Sequence, residues 1–396
     1  MLYGITAAVA ALLLTAVLCA LLRFPALRLG LVERRRARVV PRLGGVAVMA
    51  GTGLVAGAGE WTGTFRLGSD AATLLVVALG VGTLGLVADL CALPLALRLT
   101  GLGIASALVV PYDRLDVGVG VLAVGWIVFG TLAFASLDHA DGAMGVVAVV
   151  TAFALSGCAS AAFADGLAAL LSVLAAALAG FLMHNWCPAR MVSGRCGALF
   201  TGFLLASGGV MVHAGREAGP GLGALFAPTA VAVADVALVL LASRRRGGHA
   251  AHRLRRLGLT PQGATLFLGL AAGACALVGL LLDLGHVSPR APLWVAGGTL
   301  LAVLVLSRVP AGGAARPGRR GRPGRPYDTG RRPYETGRTG PYESRRLRPY
   351  ESRRVRPPRG RGFRDVPPYD DGGTRGHRAP RPRPGGGTRT GKAPAA

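Results

Sequence analysis

Charge is scarce in this chain of 396 residues. Asp, Glu, Lys and Arg make up 16% of it, against about 25% in soluble globular domains. Hydrophobic residues make up 52%, and the mean hydropathy is +0.49. That balance excludes an ordinary soluble enzyme and points to a membrane protein. Lysine is nearly missing. Lys392 stands alone and all other basic charge is Arg, which, with the heavy Ala, Gly and Val usage, points to a high-GC bacterial genome and carries no functional information. Paired cysteine spacing is missing too. Cys19, Cys91, Cys158 and Cys275 lie in or beside apolar runs, so no disulfide framework is indicated. Cys187 and Cys196 share a polar loop without clear His or Cys partners, and small apolar filler is the better reading there. The first apolar run has no small-residue cleavage site, so an anchor is expected and not a removed signal peptide.

What is present is a series of long apolar runs. A helix needs roughly 20 apolar residues to cross the hydrocarbon. Candidate spans are 3–23, 43–59, 71–91, 98–111, 116–136, 143–163, 166–186, 196–214, 222–243, 263–283 and 292–309. The fourth is short and is expected to be tilted, kinked or partly re-entrant. Eleven helices put the two ends of the chain on opposite sides. The loops after the odd-numbered spans from the first to the ninth carry Arg23, Arg28, Arg34, Arg35, Arg36, Arg38, Arg42, Arg98, Arg190, Arg195, Arg244, Arg245, Arg246, Arg253, Arg255 and Arg256. The other side carries only Arg66, Arg114, Arg216 and Arg290. By the positive-inside rule the Arg-rich side is cytoplasmic and the N-terminus lies outside.

With that topology the unusual residues gather on the cytoplasmic side. Pro41 and Gly44-Gly45 open the second span, and GLVADL (85–90) closes the third, with Arg98 beyond it. LDHADG (137–142) follows the fifth, with Asp138 and Asp141. The seventh leads into NWCPARMVSGRCG (185–197), a polar loop between two apolar runs, where polar residues are costly enough to suggest a site. The ninth leads into His249 and His252. Taken singly, two Asp three apart are usually a cap or a solvated face, and the two His could be headgroup contacts. Asp235, an acid inside the ninth span, is expected to be a structural partner for a neighbouring helix. A transporter fits less well, because the polar positions collect on one face and not around a midplane pathway.

Taken in order, PRLGG, GLVADL, LDHADG, NWCPAR-x-x-SG-x-x-G and H-x-x-HRL-x-x-LGL resemble the cytoplasmic motifs of the polyprenyl-phosphate N-acetylhexosamine-1-phosphate transferases. That group includes the phospho-N-acetylmuramoyl-pentapeptide transferases and is of the glycosyltransferase family 4 type. The resemblance spans residues 1–310. It implies an all-α integral membrane bundle of ten or eleven helices in the bacterial plasma membrane, with a cytoplasmic site. It also implies transfer of a sugar 1-phosphate from a UDP-sugar to a polyprenyl phosphate, with Mg²⁺, in envelope polymer synthesis. Two anionic phosphates must meet there, which calls for a divalent cation, acidic ligands and cationic clamps. Carried over, Asp89, Asp138 and Asp141 are the catalytic and Mg²⁺-holding positions. Arg98, Asn185, Arg195, His249 and His252 are the substrate- and phosphate-binding ones.

The match has departures. Ala88 replaces the first Asp of a pair, Arg98 replaces a Lys, and Leu132 and Ala135 stand where the family has Asn. His139 replaces a Gly between Asp138 and Asp141, and Ala251 replaces the middle His of the later cluster. Arg195 stands where the family places an acidic metal ligand. A unit cation about 4 Å from Mg²⁺ opposes it by roughly 8 kcal/mol at an effective dielectric near 20. A guanidinium there could instead clamp phosphate directly, or snorkel to headgroups. Two readings therefore stand side by side. One is a divergent transferase with lost or altered activity. The other is an inactive member that binds polyprenyl phosphate or nucleotide sugar, or scaffolds an envelope-synthesis complex.

From residue 310 the apolar runs end, and 23 basic residues face 7 acidic ones. This second region, 310–396, is expected to be a disordered cytoplasmic tail. It repeats PYDTGR, PYETGR, PYESRR and PYESRR, with Tyr327, Tyr334, Tyr342 and Tyr350 each followed by an acid. A docking or tyrosine-phosphorylation array, adhesion to anionic headgroups and RNA contact through Arg and stacked Tyr are the alternatives to a merely solvated tail. Membrane lipid or an envelope-synthesis protein is the expected partner, and nucleic acid is not.

Overall fold

The computed structural model describes residues 2–35, 38–91, 93–215, 218–241 and 249–309. The expected tail and its Tyr repeats lie outside those residues, as do Arg36, Arg216 and Arg244 to Arg246. In chain order the elements are α1 (Leu2–Arg28), β1 (Val32–Arg35), β2 (Arg38–Pro41), α2 (Gly44–Trp61), α3 (Gly68–Leu90) and α4 (Leu95–Val109). Then come α5 (Val117–Ser136), a 3₁₀ turn at Leu137–His139, α6 (Ala143–Ala161), α7 (Asp165–Asn185) and α8 (Gly194–His213). The last are α9 (Ala218–Leu241), α10 (Ala250–Arg256), α11 (Pro261–Asp283) and α12 (Ala291–Arg308).

Eleven of these helices fall on the eleven apolar runs. Among the described residues nine are long and apolar enough to cross a membrane, and α2 and α4 are not counted with them. The 15 residues of α4 reach about 22 Å at 1.5 Å per residue, short of a hydrocarbon core of about 30 Å. Two elements have no apolar signature. One is the antiparallel hairpin of β1 and β2, which pairs Val32 with Pro41 and Arg35 with Arg38. The other is the seven-residue α10. Local chemistry sets several starts. Thr260 caps α11 by accepting from Gly263 N at 3.0 Å, with Pro261 in the first turn, and Pro94 precedes α4 in extended conformation.

The centre of the bundle is α8. It packs against α2, α3, α5 and α6, while α7 is held by α1, α2 and α6, and α9, α11 and α12 form one flank. Its sequence, GRCGALFTGFLLASGGVMVH, is rich in Gly, Ala, Ser and Thr, and nearly every residue of it is buried. Inside a bilayer, small residues let helix backbones approach and gain dispersion contact where no hydrophobic drive separates helix from lipid. The α2–α8 crossing shows this directly, because a Cβ on Gly45 would collide with the backbone of Gly197.

The bundle has two distinct ends. At one, the segments after α1, α3, α5 and α7 meet near the start of α10. At the other, Glu60 accepts from Leu67 N at 2.6 Å, Arg114 pairs with Asp70 at 3.1 Å, and buried His213 meets Asp283 at 3.1 Å. The chain enters at the second end and α12 finishes at the first, where the Arg253 guanidinium donates to Val309 O at 3.3 Å and to Leu306 O at 2.5 Å. Gly45→Val should therefore lower stability by about 1–3 kcal/mol through overpacking, read as a fall in the melting midpoint of the detergent-solubilised protein. Gly57→Val, where an added Cβ meets nothing within 4 Å, should leave the midpoint in place.

Candidate functional site

The loop between α7 and α8 is where the motif loops are tied together. Pro41 O accepts from Val192 N at 2.9 Å, Gly44 N donates to Val192 O at 3.1 Å, and Gly45 N donates to Ser193 O at 2.9 Å. The PRLGG segment thus runs beside the loop as an irregular ladder. From α6, Gly142 N donates to Asn185 Oδ1 at 3.0 Å, and Asn185 Nδ2 donates to Met191 O at 2.8 Å. Asn185 is buried, and its amide is occupied by these backbone partners. From α11, Gln262 donates to Cys187 O at 3.0 Å and Thr265 to Asp141 O at 3.0 Å.

Asp89 ends α3 against the first turn of α8. Its Oδ2 accepts from Arg195 N at 2.7 Å and from Cys196 N at 3.3 Å. An anion at a helix N-terminus satisfies donors that the helix cannot and meets the positive end of its dipole. Arg195 returns the favour, donating from its guanidinium to Ala88 O at 2.6 Å, at the carboxyl end of α3. Gly194 makes the junction possible. Its φ is +68°, and a Cβ there would lie 2.8 Å from Asp89 Oδ2 and 2.7 Å from Arg42 O.

Beside this junction lies a cavity of about 260 Å³ between α3, α4, α5 and α8. Val81, Leu84, Leu95, Leu99, Leu102 and Leu132 supply apolar wall, and Arg98, Asp138 and Arg195 the polar part. Arg98 Nε is buried there and has no hydrogen-bond partner. A buried donor without an acceptor is costly, and an anionic oxygen would satisfy it. The structure therefore brings Arg98, Asp138 and Arg195 to one cavity, with Asp89 touching Arg195. Asp141 is placed differently, since its Oδ2 accepts from Ala189 N at 3.2 Å.

His249 and His252 form a second group around Asp235, which is fully buried on α9. Asp235 Oδ2 accepts from Ser136 Oγ at 3.0 Å and lies 3.1 Å from His249 Nδ1, while Oδ1 accepts from Ala250 N at 2.8 Å. It therefore holds α9, the end of α5 and the start of α10 together. The ring of His139 stacks on His249 with centroids 3.5 Å apart and lies 5.2 Å from that of His252. The sequence motifs pointed to His249 and His252 but gave His139 no role. Its only signal was a histidine where the resembling motif has glycine.

Mg²⁺, implied by the resemblance, does not fit the expected acids in this arrangement. Among the described residues, three acidic, His or Cys side chains converge within 4.8 Å only at His139, Asp235 and His249, and not at Asp89, Asp138 and Asp141. One oxygen of Asp89 is taken by two backbone N–H groups while the other is buried without a hydrogen-bond partner, and the Arg195 guanidinium lies against the Ala88 carbonyl.

A family profile described as glycosyl transferase family 4 matches residues 42–213. That stretch contains Asp89, Asp138, Asp141, Asn185 and Arg195 and ends with α8, before Asp235, His249 and His252. The chain is also 54% identical over 327 residues to a Streptomyces coelicolor protein provisionally named as a glycosyltransferase, covering 80% of each chain.

Asn185→Leu should destabilise the protein by about 1–3 kcal/mol for each backbone group it leaves unpaired. Faster amide exchange at Gly142, measured by hydrogen–deuterium exchange, would locate the loss at that joint.

Proposed function

Because this chain belongs to glycosyl transferase family 4, we propose that it binds a polyprenyl phosphate at the cavity between α3, α4, α5 and α8. We also propose that the family's metal-assisted transfer of HexNAc-1-phosphate from a UDP-sugar is lost or altered in it. The observation that carries this reading is the buried, unpartnered Nε of Arg98 in a cavity with apolar walls. A lipid phosphate has two parts, an apolar chain and a dianionic head. The leucine-rich wall suits the first isoprene units, and Arg98 with Arg195 suits the head. Charge-assisted hydrogen bonds from guanidinium to phosphate are short and directional. Asp138 lines the same cavity and, in this reading, takes the proton when the lipid phosphate arrives as its monoanion. The Arg distribution supports a cytoplasmic site, with the chain's N-terminus outside.

What argues for altered transfer is the arrangement around Asp89. Asp89 gives one oxygen to the helix start and keeps the other, buried and unpartnered, beside a guanidinium whose charge opposes a dication. Arg195 partly replaces the positive charge that the metal would supply, but it cannot bridge two phosphates as an ion with open coordination positions does. Binding therefore survives more readily than transfer.

Full-length protein in nanodiscs, titrated with a polyprenyl phosphate and with the matching polyprenol, tests this. The phosphate should bind and the alcohol should bind much more weakly. Arg98→Ala and Arg195→Ala should each weaken the phosphate by about tenfold or more, the worth of one charged hydrogen bond. Equal binding of alcohol and phosphate, or no effect of Arg98→Ala, would sink the reading. Labelled UDP-HexNAc with Mg²⁺ should give little lipid-linked product from the wild type. Robust product that vanishes in Asp138→Ala would show a working transferase instead.

A further inference from the structure

We propose that His139, Asp235 and His249 form a binding site for one divalent transition-metal ion of the Zn²⁺ type. One ring nitrogen from each histidine and one oxygen of Asp235 lie within 4.8 Å of one another. The three come from three separate segments: the turn after α5, the last third of α9 and the start of α10. The argument rests on their hydrogen bonding. His139 Nδ1 lies 2.6 Å from Ser136 O. A carbonyl only accepts, so Nδ1 carries the proton and Nε2 presents its lone pair. That Nε2 is buried and has no hydrogen-bond partner. The His139 ring stacks on that of His249, with centroids 3.5 Å apart and planes inclined by 21°. Nothing in this contact donates to Nε2.

Asp235 completes an electron-rich pocket. It is fully buried and accepts from Ala250 N and Ser136 Oγ, with His249 Nδ1 3.1 Å from the same oxygen as the serine. An ionised carboxylate so held is preorganised, and the contacts around it resemble the supports that orient metal ligands. Two imidazoles and a carboxylate are a borderline donor set. Such sets suit Zn²⁺, often with a fourth position left open, whereas Mg²⁺ prefers oxygen ligands in octahedral array. Metal–ligand bonds of about 2.0–2.2 Å require the donors to draw together and the stacked rings to fan apart, because parallel rings cannot aim two lone pairs at one point. His249 has room to make that move. Its side chain is 29% exposed and it sits at the N-cap of α10 in extended conformation.

This site is separate from the Arg98–Arg195 cavity, uses none of the three expected Mg²⁺ acids, and does not depend on the lipid-phosphate reading. Purified full-length protein, stripped with chelator and equilibrated with Co²⁺ as a spectroscopic stand-in for Zn²⁺, tests it. The expected result is about one Co²⁺ per chain with the absorption of a four-coordinate ion, displaced by Zn²⁺ and not by excess Mg²⁺. His139→Asn and His249→Gln should each weaken Co²⁺ binding by about tenfold or more. The exposed His286→Asn should not. His139→Gly serves as a second variant should the Asn form lose its fold, with the metal-free melting midpoint as the control for folding. Wild-type protein that melts cooperatively yet takes up no Co²⁺ would overturn the proposal. So would uptake undiminished in both His139 variants.

Discussion

The contact between the Asp89 carboxylate and the first turn of α8 is the constraint on which the functional end of this protein depends. The most enclosed helix of the bundle begins there, and its unpaired N–H groups must be satisfied at the edge of a poorly solvating medium. Asp89 satisfies two of them from α3. Arg195 then reaches back to the carbonyl of Ala88, so each helix caps the other. This reciprocity fixes the angle and depth at which α3 meets α8. It also places one wall of the cavity that carries Arg98 and Asp138.

A pattern of this kind repeats around the site. Asp141 receives the N–H of Ala189, and Asp235 receives that of Ala250. In each case a carboxylate on one element holds the backbone of a loop or helix start from another. Charge is scarce in this chain and is placed where the backbone leaves regular structure. Glycine does the complementary work, since Gly194 and the Gly45–Gly197 crossing let backbones approach where a side chain would separate them.

The helices were legible in the sequence because a helix in lipid must be an unbroken apolar run, and eleven such runs stand out without reference to their neighbours. The order of the polar loops was legible too, since alternate loops of an up-and-down bundle share an end. Partners were harder to read. Asn185, expected among the binding residues, also joins two backbones through Gly142 and Met191. No local signal separates these roles, because both use a buried amide. The β1–β2 hairpin and α10 have no long apolar period, so nothing marked them. His139 stood out only as a departure from the motif, because its meaning lies in His249, 110 positions away, and in the bend that stacks the two rings. Asp235 was readable as a partner for another element, because a charge inside an apolar helix must have one.

The departures from the family motif make more physical sense as a set than singly. By the motif resemblance Arg195 stands where an acid is expected, and a guanidinium there would repel a dication and attract phosphate. The same change gives α3 a carboxyl-terminal cap, so reverting it would cost structure as well as charge. Replacing glycine with His139 adds an imidazole on the other side of the same loop, facing a buried carboxylate and a second histidine. Asp89, Asp141 and Asp235 each hold backbone N–H groups, and the rings of His139 and His249 stack beside Asp235. On the two proposals, phosphate would bind at the Arg98–Arg195 cavity and a transition metal at His139, Asp235 and His249, two neighbouring centres in place of one oxygen-lined site. The Asp138–His139 pair, adjacent in sequence, is the seam between them.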